Sequence, residues 1–390
     1  MSNKLLEVST IMGDALRGDY AAQGRVKAIA SGSASLSEAF SSSDLAATFT
    51  AVTNQALLAQ YADLPSTWGD FAKREVLPDF LPQYFRELSF QQDTNLALNG
   101  GIITAPNSLP NVPELSEYPT FGWSTSANAV QVRKKGARAG FSWEMVINDQ
   151  WNLISSIPGQ LARFARNTEE TSAYSVLASV TGPNATTFNA GNLNVASTDA
   201  VLAGKNYALN LDSLILAKVA VRRRKHNNNF ITVPKFRLIV PTAMEETARR
   251  LLNIQTIEMV VGTGSNQVRY VTGTNFGDVT LTVSDWLTRI DKSANSDKTW
   301  YLVPDKGFDG TRTSIALAFL QNNETPEFRQ SGNTGQYLGG GGVPSMQGSL
   351  VNDEVQYRVR HVVDGGLLWP QALFASTGVD GAAPQQAIVA

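Results

Sequence analysis

Residues 236–253 read Phe236-Arg-Leu-Ile-Val-Pro-Thr-Ala-Met-Glu-Glu-Thr-Ala-Arg-Arg-Leu-Leu-Asn253, and the hydrophobic period changes inside that stretch. Leu238, Ile239 and Val240 form a short apolar run rich in β-branched side chains, which predicts a buried strand. Pro241 ends it. Thr242, with Glu245 three residues on, has the spacing of a helix-capping box. The helix that follows buries Met244, Ala248, Leu251 and Leu252 at helical spacing and turns Glu245, Glu246, Arg249 and Arg250 to water. Carboxylates four residues ahead of arginines are helix-surface chemistry, not catalysis. The stretch is one strand–helix unit of a mixed α and β domain.

Upstream, Pro158 at the first helical position after Ser156 predicts the longest helix of the chain, ending near Thr181-Gly-Pro183. At 1.5 Å per residue its roughly 24 residues span about 36 Å. Ile157, Leu161, Phe164 and Thr168 form its expected apolar stripe. Before it, Pro106, Pro110, Pro113 and Pro119 break up an excursion over 88–145, whose last part alternates as a strand around Gly136. Residues 1–50 are rich in Ser and Ala and read as an arm with no core of its own, and 44–62 as an amphipathic helix. Downstream, 211–225 reads as a helix, 254–313 as strand-rich with Val279-Thr-Leu-Thr-Val283 the clearest strand, and 314–328 and 353–363 as further strands around a loop holding Gly339–Gly342.

Composition narrows the function. Charged residues are 17% of the chain against a usual share of about 25%, which suits a chain that buries surface against other subunits. The formal charge of −2 gives no broad basic field for nucleic acid. Without cysteine there is no disulfide, zinc–thiolate site or thiol nucleophile. No apolar run is long enough to cross a membrane, and the N-terminus lacks a secretory h-region.

The strand, the Pro-Thr-Ala step and the helix resemble a segment of tailed-phage major capsid proteins with the HK97-type fold, among them the Mu-like head subunits. Further segments follow in the same order: Leu58-Ala-Gln-Tyr61, Pro65-Ser-Thr-Trp68, Val76-Leu-Pro-Asp-Phe80, Gly140-Phe-Ser-Trp-Glu-Met-Val-Ile-Asn-Asp149, Lys298-Thr-Trp-Tyr-Leu-Val-Pro304, Ile315-Ala-Leu-Ala-Phe-Leu320, Glu324-Thr-Pro326, Tyr357-Arg-Val-Arg-His361 and Leu368-Trp369. Together they cover roughly 55–375. The resemblance implies an α+β chain: an N-terminal arm (1–60), a peripheral domain (61–87, 146–185 with a spine helix, and the strands and Gly-rich loop of 314–363), an extended hairpin loop (88–145), an axial domain (186–313) and a return to it with the C-terminal tail (364–390).

The same resemblance implies a function without turnover. Copies form hexamers and pentamers and close into an icosahedral head around double-stranded DNA, inside the host bacterial cytoplasm and then the virion. Scaffolding, portal and decoration proteins are further implied partners. The isopeptide cross-link of some related shells is not carried over, because no matching triplet is placed. An encapsulin-like nanocompartment is the structural alternative, and an α/β hydrolase-like enzyme the distant one, without a Gly-x-Ser-x-Gly elbow to support it.

No catalytic, cofactor or metal site emerges. His226 and His361 read as structural, there is no HxxxH, CxxC or DxDxDG pattern, and Gly262-Thr-Gly-Ser lacks the Lys-Ser/Thr of a phosphate loop. Two charged groups are candidates for subunit contact. Arg222, Arg223 and Arg224 end a helix, where cations complement the dipole; contact with a neighbouring subunit, or less so with DNA, is their functional reading. Arg133, Lys134, Lys135 and Arg138 lie on the excursion and Glu169 and Glu170 on the long helix, so the hairpin-over-spine arrangement of the shell fold suggests intersubunit ion pairs between them.

Overall fold

The computed structural model describes residues 61–91, 114–115, 122–142, 144, 153–192, 194, 199, 201–226, 229–253, 256–261, 268–273, 276–305, 313–331, 338 and 353–383. The expected arm over 1–60 and the Gly339–Gly342 loop lie outside them. In chain order the elements are β1 (Lys73–Leu77), β2 (Gln83–Gln91), β3 (Gly122–Val130), β4 (Lys134–Ser142), α1 (Leu153–Leu177), β5 (Ala178–Ser179), β6 (Gly182–Pro183), α2 (Leu211–Arg223), β7 (Lys225–His226), β8 (Asn229–Phe230), β9 (Phe236–Val240), α3 (Glu245–Leu252), β10 (Thr256–Val261), β11 (Val268–Gly273), β12 (Val279–Val283), α4 (Trp286–Ile290), β13 (Trp300–Pro304), β14 (Ile315–Leu320), β15 (Glu327–Gln330), β16 (Glu354–Leu367) and β17 (Phe374–Ser376). The mixture is α+β, as expected.

Two compact units share the chain. One takes residues up to Ser66, Arg133–Glu169 and Phe319–Val363; the other takes Thr67–Val132, Glu170–Ala318 and Asp364–Ala390.

The larger unit is built on the decisive stretch. β9 lies between β12, parallel to it, and β13, antiparallel, and β17 of the C-terminal segment pairs with β13. All five residues of β13 and four of five in β9 are buried, so these strands read as near-continuous apolar runs rather than alternating ones. The Trp300 and Phe374 rings meet at 5.2 Å, and Trp300 Nε1 donates to the Tyr207 carbonyl at 3.1 Å. A buried Trp needs that acceptor. On α3, Ala248 and Leu251 are buried, Met244 and Leu252 partly so, and Glu245–Arg249 and Glu246–Arg250 pair on the wet side.

The capping box at Thr242 is not formed. Residues Thr242–Met244 make a 3-10 turn with Pro241 before it, no side chain caps it, and α3 begins only at Glu245. Thr242 is itself the first residue of that turn, whereas a capping residue stands just outside the helix in extended backbone, the place Pro241 takes here. The capping box is instead at α2: Asn210 accepts from the Ser213 amide and Ser213 from the Asn210 amide. Asn210→Ala is therefore expected to lower stability by about 1 kcal/mol, and Thr242→Ala by no more than about 0.5 kcal/mol, in urea unfolding of the unassembled subunit.

The same unit carries a two-stranded ribbon. β2 and β3 pair antiparallel over nine positions, Gln83 opposite Val130 through Gln91 opposite Gly122, with no third strand among the described residues. Its base is fixed by buried Val130 and Val132 and by Asn128, whose amide donates to the Leu368 carbonyl.

The smaller unit is built on β4, β16 and β15, paired antiparallel in a five-stranded sheet of order β1-β14-β16-β15 with β4 also on β16, and α1 packs on one face of these three strands. Leu161, Ala162, Phe328, Tyr357 and Val359 form its core, joined by Tyr61, Leu64 and Phe141. Phe328 and Tyr357 stack at 5.3 Å. Gly136 is required where β4 passes β16, because a Cβ there would sit 2.5 Å from the Val359 carbonyl oxygen.

Two expectations change. The alternating strand around Gly136 is β4 of this sheet, not an arm of the hairpin, because its partner is β16; the ribbon itself is β2 with β3. The long helix starts at Leu153, so Pro158 lies within it, and it stops at Leu177 where β5 and β6 turn the chain. Its buried stripe runs through Leu161, Ala162, Ala165, Glu169, Ala173 and Val176, while Phe164 is 59% exposed.

Candidate subunit interface

The basic residues of β4 are on the surface. Arg133, Lys134 and Arg138 are exposed and Lys135 is half-buried. Register extends this group across the sheet. Arg138 lies opposite Arg358 on β16, and Arg358 opposite Arg329 on β15. Residues directly opposite one another share a face, so three arginines form one cross-strand row, all three exposed. The next row on that face is Gly136, Arg360 and Glu327. Arg329 and Arg360 both bond the single Glu327 carboxylate. Burial works to raise that carboxyl's pKa, but the two guanidinium groups outweigh it and hold it below the usual range.

Glu169 and Glu170, the expected acidic partners, are not surface groups: they are 0% and 3% exposed. Glu169 lies on the buried stripe of α1. One carboxylate oxygen accepts from His361 Nε2 at 2.8 Å and from the Tyr61 hydroxyl; the other accepts from Arg166 Nη1 at 2.8 Å. Arg166 also covers the Tyr61 ring, 4.2 Å from its centroid, and donates to the Tyr61 carbonyl. Burial pushes the Glu169 carboxyl up, yet the bonds from His361 and Tyr61 and the charges of His361 and Arg166 bring it below the ordinary value. His361 is thus a structural histidine in a buried polar cluster, 3% exposed. The side chain of His226 lies outside the described residues.

Glu170 does separate work in the other unit. Its carboxylate accepts from the Thr67 amide at 2.6 Å and the Thr67 hydroxyl at 2.8 Å, and so caps the 3-10 turn Trp68–Asp70. Thr67 also bonds the Tyr174 hydroxyl, whose pKa burial raises to about 12. Two carboxylates satisfied inside the chain are not available to a neighbour's lysines, so the expected ion pairs with Lys134 and Lys135 do not fit their burial.

The cluster at the end of α2 divides. Arg222 bonds the Val233 carbonyl and pairs with Asp278 at 3.2 Å. Arg224 is buried at 6% exposure, pairs with Asp199 at 3.5 Å and donates to the carbonyls of Gln371 and Leu373, tying down the segment that leads into β17. Burial lowers its pKa to about 10, and Asp199 limits the fall. Arg223 alone of the three is exposed without such a bond among the described residues. The dipole reading covers Arg222 and Arg223, both in the last turn of α2.

A family model described as phage capsid protein matches residues 125–375, which take in β4, α1, the β9 sheet and β16. The chain belongs to the phage capsid protein family. The resemblance to HK97-type head subunits is thereby borne out, and the family points to a structural protein rather than an enzyme. No curated protein matches the chain in sequence. Solved structures similar to this capsid protein include one from Mycobacterium phage Patience (9% identity, 85% of this chain and 88% of that one, TM-score 0.44). Others are an encapsulin complex from Synechococcus elongatus (11%, 81% and 89%, 0.41) and a virus-like particle from Pyrococcus furiosus (10%, 83% and 97%, 0.36). At TM-scores below 0.5 these likenesses carry no weight on their own.

The sequence reading missed Arg329, Arg358 and Arg360. The alternation Tyr357-Arg-Val-Arg-His361 signals two arginines on one strand face, but their alignment with Arg138 depends on strand register.

Proposed function

We propose that this capsid protein is the major subunit of an icosahedral phage head, with hexamers and pentamers of identical chains closing into a shell around double-stranded DNA. The observation that carries the reading is the family match across 125–375. Two features of the chain support it. A two-stranded ribbon is marginal in water by itself, and among the described residues β2 with β3 is such a ribbon, which suits completion by a neighbour. Val76, Phe80, Leu81 and Tyr84, 43–66% exposed, crowd apolar side chains into the segment that leads to that ribbon, a pattern of contact surfaces. Assembly takes place in the host bacterial cytoplasm, with scaffolding, portal and decoration proteins as further partners. The formal charge of −2 gives no broad basic field for gripping that DNA.

Expression of the full chain, followed by sedimentation and negative-stain imaging, tests this. Closed shells, or rings of five and six, are the expected result. A subunit that stays monomeric on concentration, even with lysate of its source added, overturns it. Shells from the native source that hold enzyme instead of DNA would place the chain with encapsulin-like compartments.

A further inference from the structure

We infer that Asp291, Tyr301 and Thr288 hold a hard monovalent cation, sodium or potassium, between the end of α4 and the face of β13 turned away from Trp300. The site belongs to the larger unit alone and does not depend on the shell reading.

Three side-chain oxygens are buried there without a hydrogen-bond partner among the described residues: Asp291 Oδ2, the Tyr301 hydroxyl and the Thr288 hydroxyl. Asp291 is 2% exposed and Tyr301 1%, so bulk water does not reach these atoms. Thr288 and Asp291 are three residues apart across the end of α4, a spacing that puts them on one side of it. Side chains alternate along a strand, so Tyr301 leaves the Trp300–Phe374 core for the opposite face, where its ring meets Phe188 at 5.8 Å. Burial, and after it the Asp291 charge, push the Tyr301 phenol up. The two groups therefore act on each other, and the phenol stays protonated.

Elsewhere the chain satisfies such groups. The Tyr174 hydroxyl bonds Thr67 at 2.9 Å, and buried Glu169 accepts from His361 and Arg166. Thr168 and Thr299 return their hydroxyls to the carbonyl four residues back, as helical threonines do. Three exceptions brought together point to a guest that pairs with all of them.

Charge selects the guest. Asp291 Oδ1 accepts from the Ser293 amide at 2.8 Å, and among the described residues no cationic side chain pairs with this carboxylate. The cations near it in sequence are engaged: Lys292 Nζ donates to the Thr288 carbonyl at 3.0 Å, and Arg289 pairs with Asp285 at 2.7 Å. A buried carboxylate without a counter-charge is costly. A water molecule would pair with the three oxygens but leave that charge in place; a cation answers both. One carboxylate and two neutral hydroxyls carry a single negative charge, which a monovalent ion cancels, whereas calcium draws on more carboxylates. An all-oxygen set also disfavours the softer metals that prefer nitrogen and sulfur.

Thermal unfolding of the full-length chain at one ionic strength tests the site. The chlorides of sodium, potassium and N-methylglucamine are compared, the last a cation too large to enter. Sodium or potassium is expected to raise the midpoint by about 3 °C or more over N-methylglucamine, and the rise should grow with the logarithm of the ion's concentration. Whichever ion gives the larger rise is the one the site takes. Asp291→Asn keeps the acceptor for the Ser293 amide and removes the charge, and Tyr301→Phe removes one oxygen. Each should erase most of the difference between salts, while merely structural residues would lower the midpoint equally in all three. Crystals soaked in thallium(I) nitrate give a readout that needs no variant: an anomalous peak between Asp291 and Tyr301.

Equal midpoints in the three salts overturn the inference in favour of a buried water. A salt difference that both variants keep overturns it as well. Where neither variant folds, the crystals decide, and no peak at that position overturns it.

Discussion

Glu169→Leu should destabilise the unassembled subunit by about 3–5 kcal/mol, the usual cost of removing one partner from a buried charge cluster. Three donors lose their acceptor together: His361 Nε2, the Tyr61 hydroxyl and Arg166 Nη1. His361 is 3% exposed and the Arg166 side chain 13%, so these two donors have little water to turn to. Glu169→Gln keeps the shape and an acceptor oxygen and should cost less. It also separates the effect of charge through pH. The Glu169 carboxyl is held below its ordinary value in the folded chain, so its contribution is complete above the unfolded value of about 4.3 and is lost as pH falls through the folded one. The wild type should therefore weaken on acidification below about pH 4.3, and Glu169→Gln should have a flatter acid limb. Chemical unfolding midpoints between pH 3 and 7 measure both. Equal acid slopes in the two proteins would show that the carboxylate does not supply this stability.

Gly365→Ala is the second large effect. A Cβ at that position would overlap the Ser172 carbonyl oxygen and come within 2.7 Å of Val176 Cγ2, so β16 and the last turns of α1 must separate. The obstruction is backbone, which does not swing aside as a side-chain tip does. We expect a loss of about 1–3 kcal/mol from overpacking, and Gly365→Val should prevent folding. Gly366→Ala meets the Val130 side chain instead, so it should bear mainly on the base of the β2–β3 ribbon. Thermal unfolding of the subunit ranks the two, and equal effects would mean that the helix carbonyl yields as easily as a valine.

The parts of the fold that announce themselves in the sequence are those whose burial depends on one element's own period. β9, α3 and β12 occur where their patterns place them, and the Glu245–Arg249 and Glu246–Arg250 pairs follow from helical spacing alone. Glu169 reads as a surface residue when its charge is weighed over its position. It falls on the Leu161–Ala165–Ala173–Val176 stripe, so its burial was legible, but its partners Tyr61 and His361 come from opposite ends of the chain. Phe164 errs the other way: hydrophobic, at helical spacing, and exposed. The arginine row depends on the register of three strands remote in sequence, which no local pattern encodes.

That remoteness bears on when the row comes into being. Arg138 is synthesised long before Arg358, with more than half of the chain between them, and β4 has its partner only when β16 has left the ribosome. Contacts of such long range close late in folding. The arginine row is therefore the last part of the sheet to be finished. Half-made chains on the same messenger do not carry it.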